Sequence, residues 1–297
     1  MSKTAARKKR IFTPYLMILP TVAGLLIFNF YPIFLSIFKS FYEWSGNLGS
    51  DYGVNNFVWF ANYGYIFKDA VFWKSWFNVG FFTLTAVFVN FTMPFIMAEL
   101  IFSLKGSREK YIYRVLLVVP MIVPAIVNFL LWEFIYLPNG GLISQIAGRV
   151  VDTLGRPESV KWGIRFIGVP WMSGMPFLLY LARLSSIDIS VKEAARIDGA
   201  GTLTSIFRID VPLSLPQFRM VLVLTVIGEI QDFVKIQTIT NGGPGFASTV
   251  PGLYMYNQAF GRLDGYGIAC AVGVVMLVVM LGISVLSNYV FKEREDA

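Results

Sequence analysis

The sequence predicts an all-α, polytopic membrane protein with six transmembrane helices, and three observations carry that prediction. The 297 residues are 56% hydrophobic and only 14% charged, with a mean hydropathy of +0.62. A soluble domain carries roughly 45–50% apolar and about 25% charged residues, so a water-soluble chain of this make-up would expose large apolar patches. Several charge-free runs are long enough to cross about 30 Å of hydrocarbon, which takes roughly 20 residues in a helix. Finally, Lys and Arg fall unevenly on the connections between those runs.

Residues 11–38, 75–98 and 265–291 contain no charge and satisfy the length criterion outright. Residues 115–132 and 166–182 are shorter, and reach spanning length when 133–136 or 164–165 approach the interface. The fifth segment, 218–239, contains Glu229, Asp232 and Lys235 but continues its apolar pattern through Phe233, Ile236 and Ile239. The basic residues set the orientation. Lys3, Arg7, Lys8, Lys9 and Arg10 precede the first span, and Lys105, Arg108, Lys110 and Arg114 lie between the second and third. Arg183, Lys192, Arg196, Arg208 and Arg219 lie between the fourth and fifth, and Lys292 and Arg294 follow the sixth. This bias puts both termini and the fourth–fifth connection in the cytoplasm. The first apolar run is too long for a secretory signal core and no small-residue cleavage site follows it, so it is expected to be a retained helix, kinked at Pro20 and Pro32.

The expected organisation is a basic tail over 1–10, a first span and external loop over 11–71, a core of five spans over 72–290, and a tail over 291–297. With no histidine and one cysteine, Cys270, the chain has no Ser-His-Asp or Cys-His catalysis, no His-ligated metal and no intrachain disulfide. It contains no G-x-x-x-x-G-K-[ST] phosphate loop either. The net charge of +7 marks the cytoplasmic connections of a membrane chain rather than a nucleic-acid partner.

The most informative segment is 190–212. Ser190 and Glu193 have capping-box spacing, which predicts a helix from Val191. Asp198-Gly199 ends it, because Gly tolerates the left-handed turn. Thr202 is positioned to cap a second helix with an apolar face of Leu203, Ile206 and Phe207, which Pro212 would stop. Small residues at Ala194, Ala195, Gly199 and Ala200 allow another protein to approach the backbone, and the exposed apolar cluster marks an interface rather than a solvated loop.

The run Glu193-Ala194-Ala195-x-x-Asp198-Gly199-Ala200, followed by Phe207-x-Ile209-x-x-Pro212-x-x-x-Pro216, resembles the EAA loop of binding-protein-dependent ABC importer permeases. The likeness extends over about 72–289, through Gly106, Arg114, Pro120, Pro124 and Trp132 upstream. Downstream it includes Asp232-Phe233, Gly242-Gly243-Pro244, Thr249, Tyr254, Tyr256, Phe260 and Tyr266-Gly267. The Gly-Gly-Pro run is similar to the maltose-type first permease subunit of the carbohydrate subfamily. The resemblance implies a type I ABC importer transmembrane domain that pairs with a second, different permease. Two ATPase subunits would carry ATP and Mg, this chain binding no cofactor itself, and an extracytoplasmic binding protein would deliver a sugar, polyol or oligosaccharide. Glu193, Ala194, Ala195, Asp198, Gly199 and Ala200 would then form the coupling helix seated in the ATPase.

Among the acids near the spans, Glu99 is read as a solvated helix end six residues before Lys105, and Glu133 as an interfacial group beside Trp132 and Tyr136. Glu229 and Asp232 share a helical face at i, i+3 spacing. They occupy positions where the maltose-type subunit presents polar groups to sugar, and carboxylates accept hydroxyl hydrogen bonds well. Trp171, Met172 and Gly174 in the fourth span, and Met121, Ala125 and Asn128 in the third, fall at corresponding substrate-lining positions by the same resemblance, with helix packing as the competing explanation. A secondary transporter or channel acting without an ATPase is the alternative function. A structural scaffold leaves the 190–212 segment without purpose, and a membrane enzyme would have only Glu229 and Asp232 as a carboxylate pair.

Overall fold

The computed structural model describes residues 3–44, 56–168, 174–262 and 265–291, and these are almost entirely helical. The chain forms two compact units, 1–69 with 255–277 and 70–254 with 278–297.

In the first unit, α1 (Lys3–Leu25) passes through a π-helical turn, Leu26–Phe30, into α2 (Tyr31–Lys39). Pro32 has no N–H to donate and its ring crowds the carbonyl four residues back, so the helix widens locally instead of breaking. The chain leaves α2 through Ser40 into a two-stranded antiparallel ribbon, β1 (Tyr42–Glu43) and β2 (Asn56–Phe57), then enters α3 (Ala61–Lys68). Asn62 fixes this corner by donating from Nδ2 to the carbonyls of Ser40 and Tyr42, both at 2.9 Å.

The second unit is built on α4 (Ala70–Ser103), an apolar helix of 34 residues. The chain continues through α5 (Ser107–Val118), a 3-10 turn (Val119–Ile122), α6 (Ala125–Tyr136), α7 (Leu142–Ala147), α8 (Val160–Arg165) and α9 (Gly174–Ser185). It then forms α10 (Ile189–Ile197), α11 (Thr202–Ser205), a π-helical turn (Ile206–Asp210), α12 (Val211–Leu213), α13 (Leu215–Gln231) and α14 (Val234–Ile239). The last two helices, α15 (Pro251–Gly261) and α16 (Tyr266–Phe291), run through both units.

Pro14–Lys39, Ala70–Ser103 and Tyr266–Ser287 are each long and apolar enough to span a membrane. The third expected span is broken: Ser107–Ile122 meets Ala125–Tyr136 at 91° around Pro120 and Pro124. Of the fourth, Gly174–Ser185 is described, whereas its approach through 169–173, with Trp171 and Met172, lies outside the described residues. The fifth starts earlier than its apolar pattern, at Leu215, after a 64° bend from Thr202–Leu213. It stops at Gln231, because Asp232 is extended (φ −77°, ψ 100°).

The core of the second unit lies where α4, α9 and α13 meet. Phe95, Tyr180 and Phe218 form a ring cluster with centroids 5.4 Å (Phe95–Tyr180), 5.1 Å (Phe95–Phe218) and 4.7 Å (Tyr180–Phe218) apart. Ala98, Ile101, Leu184, Ile187 and Val221 close around them. Phe77, Leu84 and Phe88 of α4 point outward, as a lipid-facing surface requires. Deleting a buried aromatic side chain costs about 3–5 kcal/mol, so Phe95→Ala is expected to lower unfolding free energy by that order in detergent-solubilised protein. Tyr180→Phe should change it by less than about 1 kcal/mol, since the buried Tyr180 hydroxyl has no partner among the described residues. Denaturant unfolding followed by tryptophan fluorescence measures both.

Candidate functional site

The three core helices carry different chemistry at successive levels. On one side of the ring cluster a cavity of about 410 Å³ is lined by Asn90 of α4, Met121, Gly174 of α9, and Thr225, Gly228 and Glu229 of α13. Asn90 Nδ2 donates to Thr225 Oγ1 at 3.0 Å. The Met121 side chain lies directly against Gly174, so a Cβ there would have to displace its thioether. Met121, Gly174 and Glu229 thus line one cavity. Ala125, Asn128 and Asp232 do not line this cavity: the first two lie beyond the 91° bend on α6, and Asp232 beyond the end of α13. Asn90 and Thr225 were not singled out from sequence, since a lone Asn or Thr in a span has no spacing signature.

Glu229 is not an isolated carboxylate. Its Oε1 lies 2.9 Å from Nη1 of Arg165, at the end of α8, and Oε2 lies 3.8 Å from Nζ of Lys235 on α14. Lys235 also reaches Asp232 Oδ2 at 3.1 Å. The break at Asp232 removes the shared helical face that i, i+3 spacing suggested, and Lys235 is what joins the two acids instead. Arg165 is only 9% exposed, and its Nε has no partner among the described residues. From sequence Arg165 is an interfacial residue and no more, since nothing in a linear pattern pairs residue 165 with residue 229.

Beyond the other side of the cluster lies the 190–212 segment. Its first helix starts two residues earlier than the capping-box spacing implied: Asp188 is the N-cap, accepting from the Ser190 backbone N–H at 2.9 Å. This hydrogen bond holds the Asp188 carboxyl below its usual range, and an ionised group there also complements the helix dipole. At the far end the backbone N–H of Ala200 donates to Ala195 O at 2.8 Å and that of Gly199 to Arg196 O at 3.1 Å, with Gly199 at φ +78°. This is the Schellman arrangement that a Gly at this position provides. The second helix is started by Gly201 rather than Thr202, and it runs through Pro212 to Leu213 because a π-helical turn precedes the proline, as it does before Pro32. Glu193, Ala194, Asp198 and Gly199 are exposed.

Glu99 departs from its expected solvated position. It is 8% exposed and shares a cavity with Lys192 and Asp210 of the 190–212 segment. An acid at a helix end reads as solvated unless a distant residue covers it, and here Asp210, also buried, does so.

Because Glu229 holds Arg165, Glu229→Ala strands a buried guanidinium and is expected to destabilise by about 3–5 kcal/mol, seen as a lower unfolding midpoint. The pair Glu229→Met/Arg165→Met should recover most of that loss, since two apolar side chains leave no buried charge unpaired. For Asp188 the folded pKa is depressed, so its stabilising contribution is present above the ordinary carboxylate range and is lost as pH falls through the depressed value. Protection of the Ser190 amide, as exchange relative to its intrinsic rate at each pH, should therefore be lost only in acid in the unsubstituted chain, and already at neutral pH in Asp188→Ala.

Comparison with known proteins places these features in context. A permease from Bacillus subtilis (strain 168), described as the probable ABC transporter permease protein YurN, is 29% identical over 290 residues, covering 95% of this chain and 97% of the relative. The lactose transport system permease protein LacF of Rhizobium radiobacter is 25% identical over 301 residues, covering 99% of each chain. A crystal structure of a bacterial ABC transporter involved in importing the acidic polysaccharide alginate contains a chain of the same fold, with a TM-score of 0.83 at 22% identity, covering 99% of this chain and 100% of that one. Residues 93–294, which hold the ring cluster, the cavity lining other than Asn90 and the 190–212 segment, match the model of one family, and the chain therefore belongs to the binding-protein-dependent transport system inner membrane components.

Proposed function

We infer that this chain is a transmembrane permease subunit of an ATP-binding-cassette importer and that it carries a sugar, polyol or oligosaccharide. The observation that supports this most directly is α10: a short, capped, exposed helix bearing Glu193-Ala194-Ala195-x-x-Asp198-Gly199-Ala200, ended by a Schellman turn, in a member of this family. It faces the cytoplasm in this reading, as do both termini. Glu193 pairs with a basic residue of the ATPase, while Ala194, Ala195 and Ala200 let that subunit approach the backbone. ATP and Mg belong to two ATPase subunits, a second permease completes the solute path, and an extracytoplasmic binding protein delivers the solute.

The carbohydrate assignment draws support from the lactose permease relative and from the lining of the cavity. Asn90 and Thr225 offer an amide and a hydroxyl, Met121 an apolar surface, and the Glu229 carboxylate keeps acceptor capacity beyond its bond to Arg165. Asp232, Asn128, Ala125, Trp171 and Met172 are assigned to the path by resemblance alone.

The test is ATP hydrolysis and solute uptake by the intact transporter reconstituted in vesicles, with its binding protein loaded with lactose, another neutral disaccharide or an alginate oligosaccharide. One of these probes is expected to stimulate hydrolysis severalfold. Gly199→Val forces a β-branched residue to φ +78°, a strain of about 1–2 kcal/mol, and should abolish uptake without reducing the amount of chain in the membrane. Uptake by the purified chain alone would overturn the assignment in favour of a secondary transporter or channel.

A further inference from the structure

On the reading just given, α10 receives a push from an ATPase, and that push has to reach the spans. None of the residues of α10 is buried. Between it and the end of α4 lies a cavity of about 550 Å³, lined by Glu99, Phe102, Lys192, Arg196 and Asp210 among others. The apolar anchors stand beyond its two ends: Ile187 is buried in the ring-cluster core, and Ile206 packs against the same core. A helix of nine residues held only at its ends would tilt under load.

One side chain crosses the cavity. Lys192 Nζ lies 2.9 Å from Asp210 Oδ1 and 4.0 Å from the centroid of the Phe102 ring. Asp210 has 2% side-chain exposure and sits at the end of the π-helical turn that leads into α12 and α13. Its backbone carbonyl accepts from the Ser214 N–H at 3.0 Å, so it is fixed to the start of the fifth span. Phe102 lies in the last turn of α4. Burial of the Asp210 carboxylate strengthens the ion pair, since bulk water screens it little. The Glu99 carboxyl, one turn before Phe102, interacts with both Lys192 and Asp210.

We propose that Lys192 is a positioning residue for transport, bracing the coupling helix against the ends of α4 and α13 so that both spans follow its displacement. Ion pair and ring contact act together: the Asp210 pair transmits motion towards α13, and the seat on Phe102 transmits it to α4. The brace rests on α10 being the ATPase-docking helix, and the experiment separates the two ideas.

The transporter is purified intact through a tag on this chain, in a Cys270→Ser background, with spin labels at Val191→Cys and Ser103→Cys, both exposed positions. The label-to-label distance is measured without nucleotide and after trapping with ATP and vanadate. With Lys192 present the distance should be the same in both states, because helix and span move as one. In Lys192→Met, which keeps the stem over Phe102 but loses the charge, the distance should change on trapping and its distribution broaden about twofold or more. Lys192→Arg should restore the unsubstituted behaviour, which a loss of general stability would not predict. Asp210→Asn provides the same test from the other side if Lys192→Met does not accumulate. An unchanged distance in Lys192→Met or Asp210→Asn overturns the brace and leaves the docking helix standing. A preparation in which no ATPase accompanies the chain overturns the docking reading, and the brace with it.

Discussion

The contact among Phe95, Tyr180 and Phe218 sets the geometry of everything around it. Three helices meet there at aromatic van der Waals distance, and each carries functional groups away from the junction in both directions. From Asn90 to Phe102, α4 rises roughly 18 Å at about 1.5 Å per residue. Over that length it passes from the cavity, through the ring cluster, to the seat of Lys192. The α13 helix does the same from Phe218 at the cluster to Thr225 and Glu229 at the cavity.

A second constraint is the backbone itself. In hydrocarbon every N–H and C=O must find a partner within the protein, so a helix can be interrupted only where the chain supplies substitutes. This protein interrupts its helices repeatedly and by three devices. π-Helical turns precede Pro32 and Pro212. A 3-10 turn separates the two halves of the third span, and an extended Asp232 separates α13 from α14, with its own carboxylate oriented towards the Lys235 N–H at 3.5 Å. In the second unit the breaks fall beside the cavity or within the 190–212 segment.

The charged groups obey the same economy. Arg165, Glu229, Lys235 and Asp232 alternate in sign within one cluster, and Lys192 balances Asp210 beside Glu99. Two cations facing two carboxylates leave the cluster close to neutral, so that no uncompensated charge is held in the membrane interior.

Local chemistry was legible in the sequence. Apolar runs identified the long helices, Gly199 fixed the end of α10 because only glycine adopts a positive φ without penalty, and the spacing from Glu193 to Pro216 gave the family. Helix starts were less legible: Asp188 and Ser190 both offer a capping oxygen, and the choice between them depends on the angle at which the chain leaves the core at Ile187. The partners of buried charges were not legible at all. Arg165 with Glu229, and Lys192 with Asp210 and Glu99, are brought together by the packing of α4, α8 and α13, and no periodicity relates them. Sequence determined which segments are helical and where the exposed, capped helix of the 190–212 segment ends, since those follow from side-chain polarity and backbone preference over a few neighbouring residues. Tertiary structure alone decided which charges neutralise one another and which polar groups face the cavity, because these depend on distances between residues far apart in the chain.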